Sequence, residues 1–255
     1  MNKSDREISF VVDDMTPAFA NSLRRIAIGE VPVLAVDSVD FYENNSMFYD
    51  EMVAHRLSLV PLVFNPKNYI FKEDCKCEGK GCSNCQAVLV IDKKGPSVVY
   101  TKDIKSSDNE VKPLFDEIPL LELRDKQSFK AEGSAILGLG KDHAKFQASK
   151  TGFRYYPVVK VNKTVTNSEV CMRVCPRNAL KIDGSKASVT TDCDLCKECV
   201  RACEPEGAIE ISGNPAKMIF TVESISGLTA EQIMISALDI LKKKAKEFEK
   251  AVKKL

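Results

Sequence analysis

The chain has 255 residues, 44% of them hydrophobic, enough to build one to three ordinary cores. Its 37 basic and 36 acidic side chains leave a formal net charge of +1, so bulk electrostatics gives no attraction to nucleic acid or an anionic membrane. With two histidines and no tryptophan, a histidine-based catalytic constellation is excluded as a working reading. The opening residues lack the apolar core of a signal peptide and no run is long enough to span a membrane, so a cytoplasmic protein is expected. In that reducing setting, cysteines at ligand spacings read as metal ligands.

In chain order, Ile8, Phe10 and Val12 alternate as a strand. A helix follows, capped by Thr16, with Pro17 in its first turn and Gly29 at its end; Phe19, Leu23 and Ile26 lie along one face. Arg24 and Arg25 cannot both enter that apolar face, and they suit either solvent or a protein interface. A short helix is expected over 50–57, opened by two acids that suit its dipole. His55 in it lacks the clustered partners that a metal or acid–base site needs.

Cys75, Cys77, Cys82 and Cys85 follow in C-x1-C-x4-C-x2-C spacing, with glycines that let the backbone turn tightly. Four thiolates form a closed set, and this pattern suits structural zinc stapling a loop with few apolar residues; free thiols are the plainer alternative. Residues 88–91 and 97–100 read as strands, 101–112 as an exposed polar loop, and 119–123 and 128–132 as strands again. Gly138 and Gly140 lack the companions of a phosphate loop or dinucleotide fingerprint, so no nucleotide is assigned.

The clearest chemical signal is Cys193-Asp-Leu-Cys196-Lys-Glu-Cys199-Val-Arg-Ala-Cys203, the run C-x2-C-x2-C-x3-C. Cys171 and Cys175 recur as Cys199 and Cys203, and 179–182 recur as 208–211 with one residue inserted, an internal repeat. Residues 161–213 resemble a bacterial two-cluster ferredoxin. In the first half, two ligand positions fall on Val165 and Ser168, so one site is incomplete. The resemblance therefore implies one 4Fe–4S cluster held by Cys175, Cys193, Cys196 and Cys199. Cys171 and Cys203 are left together at the lost site, as free thiols or as a disulfide.

Asn214-Pro215 marks an expected exit from this insert, and Met218, Phe220 and Val222 alternate as a strand. A long last helix begins at the capping box Thr229 to Gln232. Met234, Leu238, Leu241, Ala245, Phe248, Val252 and Leu255 form a heptad seam that calls for a covering helix. Seven lysines between 242 and 254 occupy the rest of it, interrupted by Glu247 and Glu249, and read as a solvated face.

Asn21-Ser-Leu-Arg-Arg-Ile26, residues 31–37, residues 45–62 and the segments 137–145 and 155–157 resemble the alpha-type assembly subunits of multisubunit RNA polymerases, most closely those of the archaeal branch. The resemblance implies an α+β chain: an alpha-subunit-like dimerisation domain (1–44 and 214–255), interrupted by a mostly β insertion domain (45–160) and the ferredoxin-like domain (161–213). It implies a heterodimer with the small alpha-like subunit L, closed by the Phe19/Leu23/Ile26 face and the seam. That pair would be a platform for the small and the large catalytic subunits, with no catalytic residue and no nucleic-acid contact in this chain. The rival reading is an iron–sulfur electron-transfer protein or redox-enzyme subunit. Against it stand the single complete cluster site and the absence of a flavin or nicotinamide fingerprint.

Overall fold

The computed structural model describes residues 3–254, so Leu255 of the expected seam lies outside the described residues. The chain opens with β1 (Glu7–Val12), α1 (Pro17–Gly29), β2 (Val33–Asn44) and α2 (Asp50–Ser58). A β-rich middle follows: β3 (Leu62–Val63), β4 (Gln86–Lys94), β5 (Ser97–Tyr100), β6 (Lys105–Ser106), β7 (Lys112–Pro113), β8 (Pro119–Leu123), β9 (Ser128–Gly138) and β10 (Ser149–Val161). Then come α3 (Ser168–Arg173), β11 (Leu180–Asp183), β12 (Lys186–Val189), α4 (Glu198–Ala202), β13 (Ile209–Ser224) and α5 (Ala230–Val252). No helix among the described residues is long and apolar enough to cross a membrane.

Two compact units are present. One comprises residues 9–22 and 152–221, the other residues 3–8, 23–151 and 222 onward. In the first, a three-stranded sheet runs β1-β13-β10. Phe220 of the central strand is fully buried and stacks on Phe10 at 5.5 Å and against Phe153 at 5.6 Å. Such rings bind this sheet through apolar area and favourable quadrupole contact. β13 runs unbroken through Asn214 and Pro215, where an exit was expected. Pro215 is exposed there, so the N–H it cannot donate costs the strand little. A separate core joins Val165, Ala179, Leu180, Ile182, Ala208, Ile209 and Ile211 with buried cysteines between α3, α4 and the β11–β12 hairpin.

The second unit is built on a four-stranded sheet, β2-β9-β4-β6, whose neighbours pair antiparallel. β4 alternates buried Ala87, Leu89 and Ile91 with outward residues, the period of a sheet wet on one face. β2 instead begins with four consecutive buried residues, Val33 to Val36. Residues 101–112 are not the exposed loop their polarity suggests. Thr101, Ile104 and Val111 are buried, and the Thr101 hydroxyl donates to the Phe115 carbonyl while accepting from the Ile118 amide. A satisfied hydroxyl removes the cost of burying it. Gly138 and Gly140 are packing glycines: a Cβ at 138 would stand 2.5 Å from the Phe146 ring, and one at 140 would stand 2.8 Å from the Ile28 carbonyl oxygen.

The long helix α5 starts as its sequence requires. Thr229 accepts from the Gln232 amide at 3.2 Å, and the Gln232 side chain accepts from the Thr229 amide at 2.9 Å. Arg6 donates to the carbonyls of Ser224 and Ser226, fastening the turn that leads into the helix. Ala230, Ile233, Met234 and Ala237 are buried, whereas every residue from Lys242 to Val252 is exposed. The helix is anchored by its first half.

Candidate metal centres and assembly surface

The loop after β3 gathers Cys75, Cys77, Cys82 and Cys85 so that all four sulfurs lie within 4.8 Å of one another. Sulfur pairs stand at 3.4 Å (Cys75–Cys82), 3.6 Å (Cys77–Cys85) and 3.8 Å (Cys82–Cys85). A tetrahedral zinc–thiolate site, with bonds of about 2.3 Å, sets its sulfurs about 3.8 Å apart, so the four fit one ion of that size. The turn is local in origin. Gly79 and Gly81 take left-handed φ of 78° and 93°, and the Cys82 amide donates to the Cys85 sulfur at 3.3 Å.

Crowding decides how these thiols ionise. Cys77 accepts from the Cys75 thiol and from the Gly81 amide, which draws its pKa down to about 6 despite burial. Cys75 is drawn down by the Cys77 amide, but its thiol bonds with Cys77, Cys82 and Cys85, together with burial, outweigh that and push it up to about 12. Burial raises Cys85 as well, helped by its bonds with the Cys77 and Cys82 thiols, so Cys77 ionises more readily than Cys75 and Cys85.

The second cysteine set is Cys175, Cys193, Cys196 and Cys199, with all but Cys196 buried. Leu195 and Lys197 both adopt left-handed φ, 61° and 64°, so the backbone reverses on either side of Cys196. The Ala179 amide donates to the Cys175 sulfur at 3.3 Å. Burial pushes the Cys193 thiol up, and the charges of Cys175 and Cys196 push it further. Burial raises Cys199 likewise, reinforced by Cys175, Cys193 and Cys196. Cys175, Cys193 and Cys199 share one buried cluster, although among the described residues only the loop at Cys75 draws its sulfurs to single-ion spacing.

Cys171 of α3 and Cys203, just after α4, are joined in a disulfide with Cα atoms 5.2 Å apart. Val165 is buried in the same core, and Ser168 is the first residue of α3.

The expected partner surface divides. Leu23 and Ile26 are 2% and 4% exposed within their own chain, so they are core rather than interface; Phe19 is exposed, Arg24 partly buried and Arg25 exposed. On α5, Met234 is likewise buried, Leu241 is half-buried, and Leu238, Ala245, Phe248 and Val252 are exposed, Phe248 at 73%. Burial along α5 thus stops at Leu241, and the apolar positions beyond it are left bare. Ile235, also exposed, was missed by the heptad reading; its signal was its place three residues before Leu238 on a helix whose seam is not strict.

Comparison with known proteins places this architecture. Residues 39–158 match the model of the RNA polymerase Rpb3/RpoA insert domain. The chain is 39% identical over its full length to the DNA-directed RNA polymerase subunit Rpo3 of Archaeoglobus fulgidus, covering 97% of that protein. The chain belongs to the Rpo3 family. Other Rpo3 relatives are those of Methanosphaera stadtmanae, 36% identical over 95% of this chain and 93% of the relative, and of Pyrococcus furiosus, 33% identical over 100% and 96%. Membership of the Rpo3 family makes the chain a non-catalytic assembly subunit of DNA-directed RNA polymerase, rather than the electron carrier that its cysteine run suggested.

Proposed function

We propose that this subunit pairs with the small alpha-like subunit L in the cytoplasm of an archaeal cell and that the pair is the platform on which the other small and the large catalytic subunits assemble. The observation that carries this reading is the bare outer half of α5, where Leu238, Ala245, Phe248 and Val252 stand in solvent on one face of a well-capped helix. A single helix gains nothing by presenting such a seam to water, and a second helix covering it recovers the lost apolar burial. The dimerisation part is assigned to the two ends of the chain, with an insertion domain and a ferredoxin-like domain between them.

Within this reading the loop at Cys75, Cys77, Cys82 and Cys85 holds one zinc ion, and its near-tetrahedral sulfur spacing supports that. Cys175, Cys193, Cys196 and Cys199 hold one 4Fe–4S cluster. Cys175, Cys193 and Cys199 share one buried cluster, with Cys196 on the same short run, which supports a group held in common. Both groups are structural: they link segments that have too few large apolar residues to pack by themselves. Anaerobic co-expression with subunit L, followed by metal analysis, tests the whole reading. The expected product is a stable heterodimer carrying about four irons and about one zinc; a chain that stays unpaired in the presence of subunit L overturns the assembly role, and a metal-free heterodimer overturns the two metal sites.

A further inference from the structure

Only the first half of α5 is packed, so the direction in which its bare half runs is set at the turn that starts it. That turn is held by residues near the opening of the chain. The Arg6 guanidinium donates through Nη1 to the Ser226 carbonyl at 2.7 Å and through Nη2 to the Ser224 carbonyl at 2.6 Å, while the Ser224 amide donates to the Arg6 carbonyl at 2.7 Å. Beside it, the Asp5 carbonyl accepts from the Ala230 amide at 2.9 Å, which satisfies one of the free N–H groups in the first turn of the helix. The guanidinium also lies 5.5 Å from the centre of the Phe115 ring, a cation–π contact that fixes its plane further.

The turn itself is stiff. Ser224 and Ser226 are buried, the Ser224 hydroxyl donates to the Leu228 carbonyl at 2.6 Å, and the Ser226 hydroxyl accepts from the Leu228 amide at 3.3 Å. Gly227 lies so close to the preceding chain that a Cβ there would stand 1.8 Å from the Leu62 carbonyl oxygen. A stiff turn passes a displacement at its base on to the helix. Farther along α5, Lys244 reaches Glu30 at 2.6 Å, but a solvated ion pair of this kind holds a helix weakly.

Leverage makes the base of the helix matter. At about 1.5 Å per residue, Phe248 lies about 27 Å along the axis from Ala230, so a swing of about 10° at the turn carries it sideways by about 5 Å. Paired helices pack about 8–10 Å apart, and a shift of half that distance takes a seam out of register with its partner. We propose that Arg6 is a positioning residue for heterodimer assembly: by clamping Ser224 and Ser226 it sets the angle of α5 and so presents Phe248 and Val252 to the covering helix, without itself belonging to the seam. This rests on the reading of the bare half of α5 as the seam for subunit L.

Backbone residual dipolar couplings of the full chain measure the angle between α5 and the β2-β9-β4-β6 sheet, calorimetric titration with subunit L measures Kd, and urea unfolding measures stability. Arg6→Gln is expected to turn α5 by about 10° and to raise Kd about tenfold, because a misdirected helix must be reoriented on binding. Arg6→Lys keeps the charge, but its single nitrogen cannot fill both donor positions of the fork, so it is expected to fall between wild type and Arg6→Gln in angle and in Kd. Phe248→Ala serves as the contact control and should raise Kd with the angle unchanged. A loss of stability with angle and Kd unmoved makes Arg6 a merely structural residue and overturns the proposal, as does Arg6→Lys indistinguishable from wild type, or unfolding of both variants. Wild-type chain that does not bind subunit L overturns the assembly reading and the role of Arg6 with it, whereas wild-type binding that Arg6→Gln leaves intact overturns the role of Arg6 alone.

Discussion

Replacing Leu23 and Phe248 separately by alanine distinguishes core from interface along the two helices. Leu23 is 2% exposed, so Leu23→Ala opens a cavity inside the subunit and should cost it about 3 kcal/mol of folding stability. Phe248 is 73% exposed. Of the roughly 200 Å² that a phenylalanine can bury, about 150 Å² is bare, worth up to about 4 kcal/mol at about 25 cal/mol/Å² when a partner covers it. Ordering costs on association reduce this to about 2–4 kcal/mol, or about 30- to 1,000-fold in Kd. The isolated subunit should barely notice Phe248→Ala, within about 0.5 kcal/mol. Urea unfolding of the isolated chain followed by circular dichroism measures the first quantity, and calorimetric titration with the small alpha-like subunit measures the second. The reasoning fails if Phe248→Ala destabilises the lone chain as much as Leu23→Ala does, or if it leaves Kd unchanged.

Cys199→Ser should abolish the absorbance of an iron–sulfur cluster while leaving the heterodimer intact on gel filtration, because the α5 seam does not involve that ligand; dissociation of the pair would contradict this separation. Thr229→Ala removes one half of the capping box and should lower stability by about 1 kcal/mol, seen as a reduced melting temperature; an unchanged value would mean that packing alone anchors α5. The Tyr69 hydroxyl donates to Asp108 at 2.6 Å and holds that carboxyl below its usual range, helped by the Glu110 amide. A depressed folded-state pKa stabilises the fold above the ordinary value of about 4, and this contribution is lost as pH falls through the folded-state value. Tyr69→Phe should therefore raise the Asp108 pKa in an NMR titration and flatten the acid limb of stability; an unmoved pKa would assign the depression to other groups.

Local chemistry was legible along the chain wherever a few neighbouring residues decide it. The Thr229 capping box, the strand of Met218, Phe220 and Val222 and the tight turn among the four cysteines from 75 to 85 are all present, because caps, alternation and left-handed glycines act over a turn or two of chain. Residues 101–112 were misread for the same reason. Their polar composition says nothing of distant carbonyls such as that of Phe115, which satisfies Thr101 and lets it be buried. Pro215 within β13 is a second instance, where strand continuity outweighed a local breaker at an exposed position.

By itself the sequence determined the cysteine sets, the capped amphipathic helices and the family resemblance, since spacing and periodicity are properties of the chain as written. It could not say which apolar faces the molecule keeps for itself. Leu23, Ile26 and Met234 carry the same pattern as Phe248 and Val252, yet the first three are core and the last two are bare. Only the folded chain decides that, because burial depends on what the rest of the chain packs against each helix, and a hydrophobic stripe is equally apolar whether or not it is covered.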